Sequence, residues 1–207
     1  ADTIKNRKKI PKAILISGPS SSGKTTFSLR LKTQLMVNGL QPINISLDDY
    51  FVDRELNPKD ENGNYDFECL EAVDTELFNK QLLSLVNGHE VEIPRYDFRT
   101  GSRKPHGRML KLGDNQILTI EGIHALNPKL TNLLSDEDKF RIYIAPLTQL
   151  NMHNHDRIST SDTRIIRRIV RDSMFRGYSA TETLARWPSI RLGEFKNIYP
   201  TQEEADV

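Results

Sequence analysis

Lys12-Ala-Ile-Leu-Ile-Ser17-Gly18-Pro-Ser-Ser-Ser-Gly23-Lys24-Thr25-Thr26 is the stretch that sets the architecture of this 207-residue chain. Its first half is a short continuous apolar run, as in a strand buried on both faces of a parallel sheet. Gly18-Pro19 stops that strand. From Lys24 to Val37, Phe27, Leu31 and Leu35 recur at i, i+4 and i+8, flanked by Leu29 and Met36, and Asn38-Gly39 supplies a helix stop. The order is therefore strand, glycine loop, helix.

The loop itself carries the spacing G-x-x-x-x-G-K-[ST], in the strand-to-helix context that gives the motif its meaning. Its glycines let backbone N–H groups wrap a phosphate, and the following helix aims the positive end of its dipole at the same point. Gly18, Ser20, Ser21, Ser22, Gly23 and Thr26 are read as the cradle for the phosphates of a nucleotide. Lys24 would reach the β and γ phosphates, and the Thr25 hydroxyl would ligate Mg²⁺. A guanine-reading N-K-x-D is missing, because Asn79-Lys80 continues as Gln81-Leu82 within a helical pattern. Asp60-Glu-Asn-Gly63 fits D-x-x-G but lies in a polar loop, so a signalling GTPase is disfavoured.

Working outward, Pro42 to Leu47 reads as a second strand, and Asn57-Pro58 and Asn62-Gly63 mark a long surface loop after it. Glu71 to Asn87 reads as a helix ended by Gly88. Val91-Glu-Ile93 and Tyr96-Asp-Phe98 alternate apolar and polar residues, and Met109 to Leu112 would pair with them as a small antiparallel flap, an insertion over about 90–112. Gln116 to Ile120, ending in Glu121-Gly122, and Phe140 to Ile144 complete the strands. Asp162 to Phe175 is helical by pattern, with Ile165, Ile169 and Ile166 expected inward, inside an arginine-rich lid over about 157–178. The expectation is an α/β unit spanning 1–207, with a mainly parallel sheet flanked by helices.

Net charge is +1, so the chain lacks the strongly basic balance of a general nucleic-acid binder. Its distribution says more. Eleven acids crowd Asp48 to Glu76 against two bases, while Arg157 to Arg191 holds eight arginines and three acids. Opposite-sign segments of this kind suit a site that handles a polyanion and positions a cation or hydroxyl groups. The single cysteine, Cys69, excludes an intrachain disulfide. With no apolar stretch long enough for a membrane span and no apolar segment behind the basic start, the expected setting is the cytoplasm, with no membrane partner.

In an open parallel sheet the ligand sits beyond the carboxyl ends of the strands. Three such ends carry the loop at Gly18, the pair Asp48-Asp49, and Glu121. Phosphoryl transfer to a hydroxyl needs a group that accepts the hydroxyl's proton and a metal that spreads the γ-phosphate charge. Asp48 is the expected base, and Glu121 the expected carboxylate partner of Mg²⁺, through water. His153 and His155 are read as plain loop residues, and His124 is open between core and site.

These residues, with Ser46-Leu-Asp48-Asp-Tyr50-Phe51, Pro94-Arg-Tyr96-Asp-Phe98, Ser102-Arg103, Glu121-Gly122-Ile123 and Asp162-Thr-Arg164-Ile-Ile-Arg167-Arg168-Ile-Val-Arg171-Asp172, resemble in order the motifs of the uridine kinase and phosphoribulokinase family. The resemblance runs from about 12 to 200. It implies a P-loop α/β core and transfer of the ATP γ-phosphate, with Mg²⁺, to a hydroxyl of a nucleoside or similar small metabolite. It also places Phe67, Tyr96, Phe98 and Arg103 around the acceptor, Arg164 near the sugar and the transferred phosphate, and Arg167, Arg168 and Arg171 on the lid over ATP. On this reading Asp48, Lys24 and Arg164 form the catalytic set.

Two departures bear on the acceptor. Where uridine kinases carry an aspartate for the ribose hydroxyls followed by His-Pro, this chain has Phe67-Glu68-Cys69-Leu70, so Glu68 would take that role with a longer arm. Where they carry a histidine against the pyrimidine, it has Gly101. Losing a donor built for the base weakens the pyrimidine assignment. The segment Ala145 to Ser161 resembles bacterial nucleoside kinases with extra domains similar to part of threonyl-tRNA synthetase. Together with the start at Ala1 and the end at Val207, it is read as consistent with a piece of a longer chain. Nucleoside 5′-phosphorylation leads. Another small alcohol acceptor and a non-catalytic ATP-binding regulatory module stay open, as do a homo-oligomeric assembly and further domains.

Overall fold

The structure, a computed structural model, describes residues 1–61, 63–146, 151–153 and 156–207. A short helix α1 (Asp2–Lys5) precedes β1 (Ala13–Ser17), and α2 (Lys24–Val37) leads into β2 (Gln41–Ser46). Next come α3 (Thr75–Val86), the short strands β3 (Val91–Ile93), β4 (Tyr96–Asp97), β5 (Ser102–Arg103) and β6 (Arg108–Leu110), and then β7 (Gln116–Glu121) and β8 (Lys139–Tyr143). An antiparallel pair, β9 (Asn151–His153) and β10 (Asp156–Arg157), precedes α4 (Thr160–Arg171) and α5 (Ala180–Gly193).

Strands β2, β7, β1 and β8, in that order, form a parallel four-stranded sheet. Successive side chains of a strand point to opposite faces, and β1 shows the result. Ala13 and Leu15 enter one layer with Ile45, Phe78, Leu82, Leu118 and Ile120. Ile14 and Ile16 enter the other with Leu31 and Leu35 of α2, Ile117, Phe140 and Ile142. Each of the Leu, Ile and Phe side chains, removed fully from water, contributes about 1.5–3 kcal/mol. The double-sided core explains why β1 reads as an unbroken apolar run. Helix α2 has the predicted bounds, with Leu31 and Leu35 buried and Leu29 and Met36 exposed.

Three local expectations are corrected. The helix placed at 71–87 starts at Thr75, because Leu70–Ala72 form a separate 3-10 turn and the Asp74 carboxylate caps α3 by accepting from the Leu77 N–H at 3.0 Å. The 90–112 insertion is antiparallel as expected, with β3 paired to β6, but β4 pairs with β5 and not with the 109–112 segment. Pro94, which has no N–H to donate, stands between β3 and β4.

The lid helix is turned over relative to expectation. In α4 the buried side chains are Arg164 and Arg168, while Ile166 and Val170 are exposed and Ile165 and Ile169 only half-buried. The reason is polar packing. Arg164 donates through Nε to the Ser20 carbonyl at 2.9 Å and through Nη1 and Nη2 to the carboxylate of Glu194, itself fully buried. Arg168 donates to Ser20 Oγ at 2.7 Å. Removing one member of a buried ion pair strands the other charge. Glu194→Ala is therefore expected to cost about 3–5 kcal/mol in urea unfolding, and the double change Arg164→Met with Glu194→Leu to recover most of it. A Glu194→Ala loss below about 1 kcal/mol, the range of a surface pair, would refute that role.

His124, open between core and site in the sequence, belongs to the core. It is 1% exposed, with Nε2 3.0 Å from the Cys69 carbonyl, and since a carbonyl only accepts, Nε2 carries the proton. Burial pushes its pKa down to about 4. The unfolded imidazole titrates near 6.5, so the unfolded chain binds the extra proton between these values. Stability contributed by neutral His124 is full above about pH 6.5 and falls as pH drops toward about 4, by about 3 kcal/mol in all. His124→Gln should flatten that part of the stability–pH curve. An unchanged slope would contradict it.

Candidate active site

The sheet register brings three functional segments to one edge. Glu121, the last residue of β7, pairs with Ile16 of β1 on one side and Ser46 of β2 on the other. The phosphate loop therefore leaves β1 level with Glu121 and with the 3-10 turn Leu47–Tyr50 that carries Asp48. Gly18 holds φ +149, and a Cβ there would stand 2.3 Å from the Ile144 carbonyl. Only glycine allows the chain past β8 at that point.

Lys24, half-buried, donates from Nζ to the carbonyls of Gly18 (2.8 Å) and Pro19 (3.1 Å). Burial lowers its pKa to about 8, against the opposing charges of Asp48 and Glu121. The Thr25 hydroxyl donates to Glu121 Oε1 at 3.1 Å, and Glu121 Oε2 is buried with no partner among the described residues. Burial raises the Glu121 pKa, and the Asp48 charge adds to this while the Thr25 hydrogen bond opposes it. A hydroxyl oxygen beside an unsatisfied carboxylate oxygen is a donor set that fits Mg²⁺, which binds few protein oxygens and keeps waters.

One cavity of about 330 Å³ joins this edge to an aromatic trough. At the loop end it is lined by Ser20, Ser21, Gly23, Lys24, Thr25, Thr26 and Glu121, with Arg167, Arg168 and Arg171 of α4 opposite. At the other end stand Phe51, Phe67, Tyr96 and Phe98. Their rings contact one another edge-on or tilted, with Phe51 5.7 Å from Tyr96 and Tyr96 5.1 Å from Phe98. Asp48 lines the same cavity, its side chain 41% exposed, with the Arg176 guanidinium 3.6 Å away. Arg176 in turn lies 4.0 Å over the Phe98 ring, and burial holds its pKa down to about 10, so it stays charged at neutral pH. Seven basic side chains (Lys24, Arg54, Arg167, Arg168, Arg171, Arg176, Arg186) face four acidic ones (Asp48, Glu68, Glu121, Asp172) across the cavity. The surplus is positive, as a triphosphate requires.

Most of the expected site residues meet in this cavity, and the exceptions have physical causes. Gly18 and the buried Ser22 shape the loop from behind. Arg164 does not line the cavity; buried against Glu194 and donating to the Ser20 carbonyl, it fastens α4 to the loop. Arg103 does not line it either, because its guanidinium donates to the carbonyls of Phe51 and Tyr50 and to Asp74. Glu68 does line it, 3.6 Å from Arg168, with Oε2 buried and unpartnered among the described residues. His153 is exposed and 2.7 Å from Asp156, while His155 and Asn62 lie outside the described residues. Sequence reasoning missed Arg54, Arg176, Tyr178 and Arg186. Two of them, Arg176 and Arg186, lie over the rings of Phe98 and Phe67, which are distant in the chain, so no local spacing announces them.

A parallel sheet whose central strand opens into a phosphate loop, with a carboxylate and an aromatic trough beside it, is the arrangement of a P-loop nucleotide-binding protein. The sequence profile of the phosphoribulokinase / uridine kinase family matches residues 13–207, and the chain belongs to that family. It is 30% identical to a uridine kinase from Ligilactobacillus salivarius (strain UCC118) over 204 residues, covering 98% of this chain and 86% of that protein. Among solved structures, a possible uridine kinase from Bacillus stearothermophilus superposes with a TM-score of 0.60 at 23% identity, over 100% of this chain and 92% of that one. A D-glycerate 3-kinase from Cryptococcus neoformans gives 0.57 at 15% identity, over 95% and 82%. The family uses ATP, and its members serve more than one small-molecule acceptor. Among the described residues no helix is long and apolar enough to cross a membrane.

Proposed function

We propose that this chain transfers the γ-phosphate of ATP to the 5′-hydroxyl of a pyrimidine nucleoside. The observation that carries the reading is the single cavity in which the phosphate loop, Asp48 and the aromatic trough are continuous. Lys24 and the α4 arginines bind the phosphates and spread their charge. Asp48, between the two ends, orients the acceptor hydroxyl and takes its proton. Phe51, Phe67, Tyr96 and Phe98 enclose the base, and Glu68 accepts from the ribose hydroxyls. Thr25 and Glu121 would hold Mg²⁺, which when bound neutralises charge on the transferring phosphoryl group.

ADP release from Mg·ATP, measured with and without uridine, tests the reading. Uridine-dependent ADP with matching uridine monophosphate by mass supports it. Silence with uridine but activity with another small alcohol would reassign the acceptor, and silence across a broad acceptor panel with ATP still bound would indicate a binding module.

A further inference from the structure

At the base end of the cavity, Arg54 is a cation that neither a phosphate-loop contact nor an ion pair engages among the described residues. Arg54 packs against Gly101: its backbone N–H donates to the Gly101 carbonyl at 2.8 Å, and a Cβ at Gly101, where φ is +75, would come within 2.6 Å of both Cζ and Nε of Arg54. The side chain is held there by Nη2 donating to the Phe98 carbonyl at 2.8 Å, with Nε covered. Nη1 has no hydrogen-bond partner, and the guanidinium no carboxylate partner, among the described residues.

Arg54 lines the aromatic cavity and also a neighbouring one of about 420 Å³, and its charge is felt at the Tyr96 hydroxyl. The other guanidiniums are placed differently. Arg168 and Arg171 lie against Ser20 of the phosphate loop, Arg176 is paired with Asp48, and Arg186 lies over Phe67 and Tyr178.

Aromatic side chains pack against a flat ring, and a donor-only group beside that ring takes an oxygen and repels an amino group. We propose that Arg54 determines acceptor specificity by donating to the exocyclic oxygen at C4 of the base, the position where uracil carries a carbonyl and cytosine an amino group. The site then takes a keto-edged pyrimidine, uracil, in preference to the amino-edged cytosine. Gly101 is the positioning residue that leaves room for the guanidinium. This inference rests on the nucleoside reading above. It also gives Gly101 a physical purpose.

The test is kcat/KM for uridine and for cytidine in the native chain, Arg54→Met, Arg54→Lys and Gly101→Ala, with thermal unfolding to confirm that each variant folds. The native chain should favour uridine by about tenfold or more, the discrimination expected when a donor in the site loses its acceptor. Arg54→Met should bring the ratio close to one by raising KM for uridine, with KM for ATP unchanged. Arg54→Lys keeps the charge but not the planar fork, and should lose most of the preference. Gly101→Ala should do the same without touching the base, because the added methyl displaces Arg54. A native chain that treats both nucleosides alike or favours cytidine, or a uridine preference that survives Arg54→Met, overturns the inference alone. If neither nucleoside is phosphorylated while ATP still binds, the nucleoside reading falls and takes this inference with it.

Discussion

Asp48→Asn is expected to lower kcat by about 10²–10⁴-fold, the usual contribution of a positioned general base, while nucleotide affinity stays close to native. The change is nearly isosteric, so the turn Leu47–Tyr50 that carries the residue has no reason to move. What is lost is the capacity to accept a proton. Asp48 is the carboxylate that faces the cavity between the loop and the aromatic trough, and it is 41% exposed at its side chain, open to a substrate hydroxyl. Glu121, by contrast, is engaged with Thr25 and pushed toward its neutral form by burial. Rapid-quench turnover alongside nucleotide titration separates the two effects. Near-native transfer by Asp48→Asn would show that the base lies elsewhere.

Lys24→Ala should be at least as damaging, with kcat/KM down by about 10³-fold or more, the upper range for removing one preorganised electrostatic donor. Its ammonium is held in place by the Gly18 and Pro19 carbonyls, in surroundings dry enough to depress its pKa to about 8. A charge already positioned and partly desolvated needs little rearrangement when a phosphate arrives. Unlike Asp48→Asn, this change should also weaken ATP binding, because Lys24 meets phosphate in the ground state as well. Fluorescent-nucleotide titration and turnover measured on the same preparation would show both losses. Turnover retained within about tenfold would mean that the α4 arginines carry the phosphate charge without it.

How far the sequence discloses this molecule depends on how local the causes are. Strand β1, the loop and α2 are read correctly to within a residue because each follows from its own stretch: an apolar run, two glycines at fixed spacing, and a 3.6-residue stripe closed by Asn38-Gly39. The level edge that gathers Gly18, Asp48 and Glu121 is legible too, since parallel strands deliver their carboxyl ends to one side. The orientation of α4 is not. Its isoleucine stripe predicts an apolar inner face, yet Arg164 and Arg168 face inward because Ser20, Glu194 and Glu68 supply partners from other parts of the chain. Burying arginines is costly unless such partners exist, and sequence periodicity carries no information about them. The same non-locality hides Arg54, Arg176, Tyr178 and Arg186, and it explains why Arg103 and Arg164, both in familiar motifs, serve as ties rather than lining the cavity.

The central claim is that the phosphate loop and the aromatic trough are two ends of one reaction site, and following the phosphorus atom tests it most directly. The chain, Mg²⁺, uridine and ATP labelled in its γ-phosphate are mixed in a single turnover, and the label is located by phosphorus NMR. The account predicts that it appears as a monoester on the nucleoside 5′-oxygen, with ADP formed in equal amount. Label recovered only as inorganic phosphate, or remaining in ATP, would contradict it.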